Sequence, residues 1–332
     1  MKILFVDLQY DYGIKARGLN YIGEDGFRKT LVKLHHDVET FYYDEYLNPH
    51  RLADLQRDLI ACADRVRSEL IFFILFEGQF SIDTLERLKS KYTTVNWFCD
   101  DQWRFESFTC IYAPHFTYCI TTDKYSVLKY HDVGQRNVIV SQWAAIDEHP
   151  LPEFKGYRYD VSFVGGVHPF RIWFIEQLKK RGINVEAFGH GWPNGSVSAE
   201  RMNDIFRSSK INLNLSNSKS HDIRFVFSSF KTLKRYFRQG KDVSQIKARN
   251  FEIPFFGGLQ LTEYVPGLDD HFAIGKEVIC YKDLDEAELL IKYYLRHDEE
   301  REKVRQQGHL TALRSHGYAH RLQKVLEEIR KR

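Results

Sequence analysis

The chain reads as an α/β protein built of two doubly wound, Rossmann-like domains, and three observations predict it. Short apolar runs alternate with amphipathic segments along all 332 residues, which is the pattern of βα units laid on a parallel sheet. The charged stretch Asp147–Tyr159, carrying Pro150, Pro152 and Gly156, interrupts that alternation near the middle and reads as a linker. The length permits about two domains, each large enough for a core of its own.

In the first half, strands are predicted at Lys2–Leu8, Val38–Tyr43, Leu70–Leu75, Thr94–Phe98, Tyr118–Thr121 and Val138–Ser141, with helices at Glu24–Leu34, Pro49–Arg67, Ile82–Lys89 and Lys124–His131. In the second half, strands are predicted at Asp160–Val164, Asn184–Phe188, Ile211–Leu215, Leu259–Thr262 and Val278–Tyr281. Helices follow at Pro169–Lys180, Ser198–Ser208, Leu284–His297, Glu299–Ser315 and His320–Lys331. This divides the chain into residues 1–150 and 151–332.

Composition narrows the function classes. A charged fraction of 28% and an aromatic fraction of 15% describe a folded chain. A formal net charge of only +3 gives nucleic-acid binding no global electrostatic support, so an anion site has to be local. No run approaches the roughly 18 apolar residues that span a bilayer, and Met1 leads directly into the first strand, so the expected location is cytoplasmic. Cys62, Cys99, Cys110, Cys119 and Cys280 are scattered, with no CxxC pair, and read as buried free thiols. No His, Asp or Glu cluster has metal-ligand spacing, and no GxSxG elbow or GxGxxG turn is present, so no metal or cofactor is expected.

The segment Gln245–Tyr264, QIKARNFEIPFFGGLQLTEY, concentrates the chemistry. Lys247 and Arg249 precede Glu252 on a short helix, so cations can meet phosphate oxygens while a carboxylate accepts hydrogen bonds from ribose hydroxyls. Gly257 and Gly258 then let the backbone enter the next strand closely packed. Upstream, SFVGGVHPFR places Gly165 and Gly166 directly after a strand, with His168 and Arg171 on the way into a helix. Amides of such a turn form an anion site, and Arg171 would reinforce it; close packing is the alternative. AFGHGW repeats the arrangement with Gly189, His190 and Trp192, where a base could stack.

Two stretches of the first half carry candidates as well. In FCDDQWRFE, Asp100 and Asp101 end a predicted strand beside Trp103 and Arg104. They could bind acceptor hydroxyls, or one could serve as general base. Equally, an Asp could cap the next helix while Arg104 pairs with Asp101 or Glu106. The loop Gln9–Gly23 holds Gly13 and Gly18 with Lys15 and Arg17, either near a ligand or as a solvated basic turn. Finally, Lys219–Arg249 contains nine Lys or Arg against two Asp, interleaved with aromatics, a mixture suited to an anionic donor or acceptor, a lipid-phosphate surface or a nucleic acid, or else a solvated helix.

The run KARNFEIPFFGG…LTEY, followed by GKEVICYKDLDEAELLIKYYLRHDEEREKVRQQG and SHGYAHR, resembles the C-terminal half of the CgeB-like glycosyltransferases, over about Asp160 to Leu326. The resemblance implies the GT-B architecture: two Rossmann-like domains facing across a cleft, residues 1–150 on the acceptor side, 151–332 holding a nucleotide-sugar donor, and the last helix crossing back to the first domain. It also implies that Glu252 binds the donor ribose, that Lys247 and Arg249 lie near the diphosphate, and that the loop with Gly13, Lys15 and Arg17 covers the transferred sugar. The implied activity is metal-independent transfer of a sugar to a hydroxyl acceptor that the sequence does not identify. Many retaining members carry an earlier glutamate where this chain has Ser244, so retention rests on the family alone. The rival readings are a silent nucleotide-sugar-binding protein and a nucleotide-sugar epimerase. Oligomeric state leaves no signal in the chain.

Overall fold

A computed structural model describes residues 1–238 and 240–331; Gln239, inside the basic segment, and Arg332 lie outside the described residues. The chain divides into two compact units, one of Met1–Gln142, Ile146–Glu148 and the segment from Tyr318 onward, the other of Trp143–Ala145 and His149–Gly317.

The first unit is a six-stranded sheet of β1 (Lys2–Asp7), β2 (Asp37–Tyr42), β3 (Leu70–Phe73), β4 (Thr93–Phe98), β5 (Tyr118–Thr121) and β6 (Val138–Val140). Its order is β2-β1-β3-β4-β5-β6 with every pair parallel. Strands buried on both faces need apolar residues at successive positions, and LIFF in β3 is buried throughout. Helices such as Leu52–Val66 and Ile82–Lys89 pack Leu55, Leu59, Leu85 and Leu88 onto one face. On the other face the last helix, Tyr318–Lys331, meets the first helical segment, a π-helical stretch Ile22–Arg28 running into Lys29–Lys33. A Cβ on Gly26 would come within 2.9 Å of the Tyr318 ring, which instead sits 5.1 Å from Phe27.

The second unit holds β7 (Tyr159–Val164), β8 (Glu186–Phe188), β9 (Ser209–Asn214), β10 (Gln260–Glu263) and β11 (Ile279–Tyr281), in the order β11-β10-β9-β7-β8 and again all parallel. Helices Pro169–Lys180 and Leu284–Arg296 bury Phe174, Leu178, Leu284, Ala287 and Ile291 on one face. Helices Ala199–Arg207 and Arg249–Phe255 belong to the same unit. Both halves are therefore doubly wound parallel sheets, as the alternation predicts. All five cysteines are free; only Cys119 is fully buried, so the expectation of buried thiols is corrected for the other four, which are partly exposed. Among the described residues, no helix is long and apolar enough to cross a membrane.

Candidate functional site

In the second sheet the chain runs from β7 to β8 on one side, while from the adjacent β9 it runs to β10 on the other, so a crevice opens between the carboxyl ends of β7 and β9. Arg171, on the first turn of helix Pro169–Lys180, bridges that crevice. Its Nη1 donates to the Gly166 carbonyl at 2.8 Å, Nη2 to the Leu215 carbonyl at 2.8 Å, and Nε to the carbonyls of Leu215 and Ser216 at 3.1 and 3.3 Å. These are carbonyl acceptors, which leave the positive charge unneutralised. Burial and the nearby Arg249 charge hold Arg171 down at about 10, still cationic near neutrality. The expectation that Arg171 directly grips an anion is thus modified: its donors tie the loops after β7 and β9 together, and its charge acts through space.

Arg249 begins the helix Arg249–Phe255 and reaches the end of β7, where its Nε approaches the Val164 carbonyl at 3.5 Å. Its Nη1 bonds Glu252 Oε2, and its guanidinium lies 5.7 Å from the Phe206 ring centre. The Arg249 side chain is 30% exposed while that of Glu252 is 0% exposed. Glu252 therefore turns inward and holds Arg249; its other oxygen, Oε1, is buried with no hydrogen-bond partner among the described residues. A ribose would have to enter a closed space to reach it. The backbone amide of Lys247 donates to Asn250 Oδ1 at 3.0 Å, which sets the entry to the helix.

His168 stands just before the same helix as Arg171. Arg235 Nη2 lies 3.3 Å from its Nε2; a guanidinium only donates, so Nε2 accepts and the ring proton sits on Nδ1. Nδ1 is buried without a partner among the described residues. Burial, then the charges of Arg235, Arg171 and Lys241, hold the imidazole down at about 4, so it is neutral at pH 7 and offers an N–H without adding charge. An anion's oxygen would satisfy this donor beside two arginines, but, as at Glu252, it would have to enter a closed space to reach it.

Gly165, Gly189, Gly257 and Gly258 allow close packing. The amides of Gly165 and Val167 are already bonded to the Phe188 and His190 carbonyls at 2.9 and 3.0 Å, which draws the two glycine turns together instead of leaving those amides to an anion. A Cβ on Gly189, where φ is +125°, would stand 2.4 Å from the Gly165 carbonyl oxygen. Trp192 spends its indole N–H on that same carbonyl at 2.8 Å and packs edge-on to Phe163, while His190 is exposed. A Cβ on Gly257 would meet Arg207 Nη1 at 2.6 Å, and one on Gly258 would meet Asn212 Nδ2 at 2.5 Å. Both let the chain pass close over β9 and its preceding helix.

In the first unit, Asp101 is wholly buried and accepts hydroxyl hydrogen bonds from Thr109 at 2.6 Å, Thr121 at 2.5 Å and Tyr130 at 2.7 Å. Burial raises its pKa, the three hydroxyls opposing the rise. It joins β5 to the helices around it, with both carboxylate oxygens taken by hydroxyl donors, which is a structural placement rather than the acceptor-binding one expected. The Asp100 carbonyl accepts from the amides of Trp103 and Arg104, opening the helix Asp101–Arg104, without a side-chain cap. Arg104 pairs with neither Asp101 nor Glu106; it donates to the Phe76 carbonyl at 3.1 Å and lies 4.1 Å from the Phe108 ring centre, with Trp103 37% exposed beside it. In the first loop, Arg17 pairs with Asp11 at 2.7 Å and covers Tyr12, Lys15 is exposed, and Gly13 has φ +70° against Leu47.

Sequence reasoning overlooked Asp7. It ends β1, the strand between β2 and β3, and so marks the corresponding crevice of the first sheet. Its Oδ1 accepts from the Leu8 amide at 2.7 Å and Oδ2 from Asn20 Nδ2 at 3.1 Å. Burial, reinforced by Asp44 and Glu24, pushes its pKa well above the ordinary carboxylate range. The signal was available: a carboxylate closing an apolar first strand. Since folding raises this pKa, the group favours the folded state below about pH 4 and loses that contribution as pH rises through the raised value. Asp7→Asn removes the titration, so its melting temperature should climb relative to the wild type as pH increases above about 4; parallel melting profiles for the two proteins would contradict this.

Residues 171–327, which include Arg171, Arg249 and Glu252, match the model of a family described as glycosyl transferase-like. The fold is that of the GT-B glycosyltransferases. HepE of Anabaena, solved in complex with UDP, is 11% identical, each chain covered in full, with a TM-score of 0.63. Sucrose-phosphate synthase of Thermosynechococcus elongatus is 9% identical over 99% of both chains at 0.66. A putative UDP-N-acetylglucosamine 2-epimerase from Listeria monocytogenes is 9% identical over 94% of both chains at 0.53. No curated protein sequence matches the chain. At these identities the structural likeness is one of fold.

Proposed function

We propose that the protein is a glycosyltransferase that takes a sugar from a nucleoside-diphosphate donor and passes it to a hydroxyl acceptor. The observation that carries this reading is the pairing of Arg171 and Arg249 at the carboxyl ends of β7 and β9, with one carboxylate, Glu252, bonded to Arg249 and the unpartnered Nδ1–H of His168 near Arg171 and Arg235. A diphosphate supplies the missing negative charge and the missing acceptor. When the bond from the anomeric carbon to the diphosphate oxygen breaks, its electron pair stays on the leaving oxygen, and cations already in place stabilise it without rearrangement. The carbon then bonds the acceptor oxygen, whose proton passes to the departing diphosphate oxygen.

Uridine diphosphate is the first nucleotide to test, since HepE was solved with UDP and with UDP-glucose. Metal independence, retention at the anomeric carbon, kinship with the CgeB-like branch and a cytoplasmic location belong to the same proposal; the five free thiols suit a reducing compartment. The test is incubation, with a chelator, of the protein with uridine, guanosine, thymidine and adenosine diphosphate sugars, following both free nucleoside diphosphate and the identity of the sugar. A transferase releases diphosphate slowly alone and faster once an acceptor is supplied. A changed sugar still attached to its nucleotide would make the protein an epimerase, and binding without turnover across a broad acceptor screen would make it a silent binding protein.

A further inference from the structure

The segment before the arginine site carries a second feature, independent of sugar transfer. Helix Phe230–Arg238 buries none of its nine residues. Phe230 and Phe237 are 82% and 77% exposed, and Phe227 just before the helix is 72% exposed. Soluble proteins seldom leave three phenylalanines together in water. At about 100° per residue, Phe230 and Phe237 fall on one line along the helix, with Leu233 beside them. Lys231, Lys234, Arg235 and Arg238 occupy the adjoining arc, and Tyr236 turns away to meet His221 at 3.0 Å and Lys219 at 4.1 Å from its ring centre. Apolar and cationic arcs are thus side by side.

Charge sharpens the point. Lys219–Arg249 carries nine cations and two carboxylates while the whole chain is only +3, so the remainder of the protein is net acidic. Four of those nine cations, Lys231, Lys234, Arg235 and Arg238, lie on the helix whose rings are exposed. Stacking on nucleic acid calls for cations tracking the strand among the rings, whereas separated arcs allow the rings to enter an acyl layer while the cations stay at the phosphates.

We propose that helix Phe230–Arg238 is an in-plane docking element for an anionic lipid bilayer. The test is flotation of the full-length protein with vesicles of phosphatidylcholine alone or mixed equally with phosphatidylglycerol, using the wild type, Phe230→Ser/Phe237→Ser and Lys231→Glu/Lys234→Glu. The wild type should float with the mixed vesicles only, and each double variant should lose about tenfold in bound fraction with an unchanged melting temperature, because no buried side chain is altered. Three results would each overturn the proposal: a wild type that stays at the bottom with anionic vesicles, a phenylalanine variant that floats as well as the wild type, or tighter binding to a single-stranded RNA oligonucleotide than to the vesicles.

Discussion

Arg249→Ala should lower kcat by about 10²–10³, the usual cost of deleting one preorganised group that meets charge developing in the transition state. Breakage of the glycosidic bond places more negative charge on the diphosphate than the bound donor carries, so the loss should appear in kcat as well as kcat/KM. A rise in KM with kcat unchanged would make Arg249 a uniform binding contact. The same substitution strands the carboxylate of Glu252, which is 0% exposed and whose Oε1 already lacks a partner among the described residues. Chemical denaturation should therefore show a loss of about 2–3 kcal/mol, kept below the cost of breaking a fully buried pair because the arginine is itself 30% exposed. The two effects can be separated. Arg249→Ala/Glu252→Gln removes the stranded charge and should recover much of the stability but none of the turnover; recovery of both would reduce Arg249 to a structural role.

Gly189→Ala should be strongly destabilising to the second unit. The residue has φ +125°, outside the range an L side chain adopts comfortably, and the added Cβ would stand 2.4 Å from the Gly165 carbonyl oxygen, which is backbone and cannot rotate away. A cost of about 3 kcal/mol or more follows, because strain and overlap add. Trp192 reports it directly: its indole N–H bonds the same Gly165 oxygen, so its fluorescence should shift in the folded variant. Gly195→Ala is the control, with φ +68° and nothing within 4 Å of its Cβ, and should cost only about 1 kcal/mol. Equal losses at both positions would show that backbone strain alone governs this loop.

The repeating framework was legible because parallel strands buried on both faces must be continuous apolar runs and their crossover helices must show a 3.6-residue period. All eleven strands fall within two residues or so of their predicted ends. The stretch from Asp101 to His115 did not read as helix because it passes through α, π and 3₁₀ turns, with aromatics on several sides and no single apolar stripe. Site residues were harder for a different reason. Asp101 and Asp7 both close a strand region with a carboxylate, and the local sequence does not distinguish them; what separates their environments is three hydroxyls contributed from Thr109, Thr121 and Tyr130, against one amide and Asn20. Likewise each glycine pair announces a tight turn, but whether its amides face a ligand or a neighbouring carbonyl depends on the strand alongside. Arg171 illustrates the converse: its place on the first helical turn was clear, while its three carbonyl partners come from loops up to 45 residues distant.

On the proposed function, the arginine-lined crevice of the second unit should hold a nucleoside diphosphate without help from a metal. Calorimetric titration of the wild type and of Arg249→Ala/Glu252→Gln with uridine, guanosine, thymidine and adenosine diphosphates, all in excess chelator, tests it most directly. At least one nucleotide should bind the wild type at a single site, and the double variant should bind that nucleotide at least about tenfold more weakly, the equivalent of one hydrogen bond to a charged group. Failure of all four to bind without metal, or equal affinity in the two proteins, would contradict it.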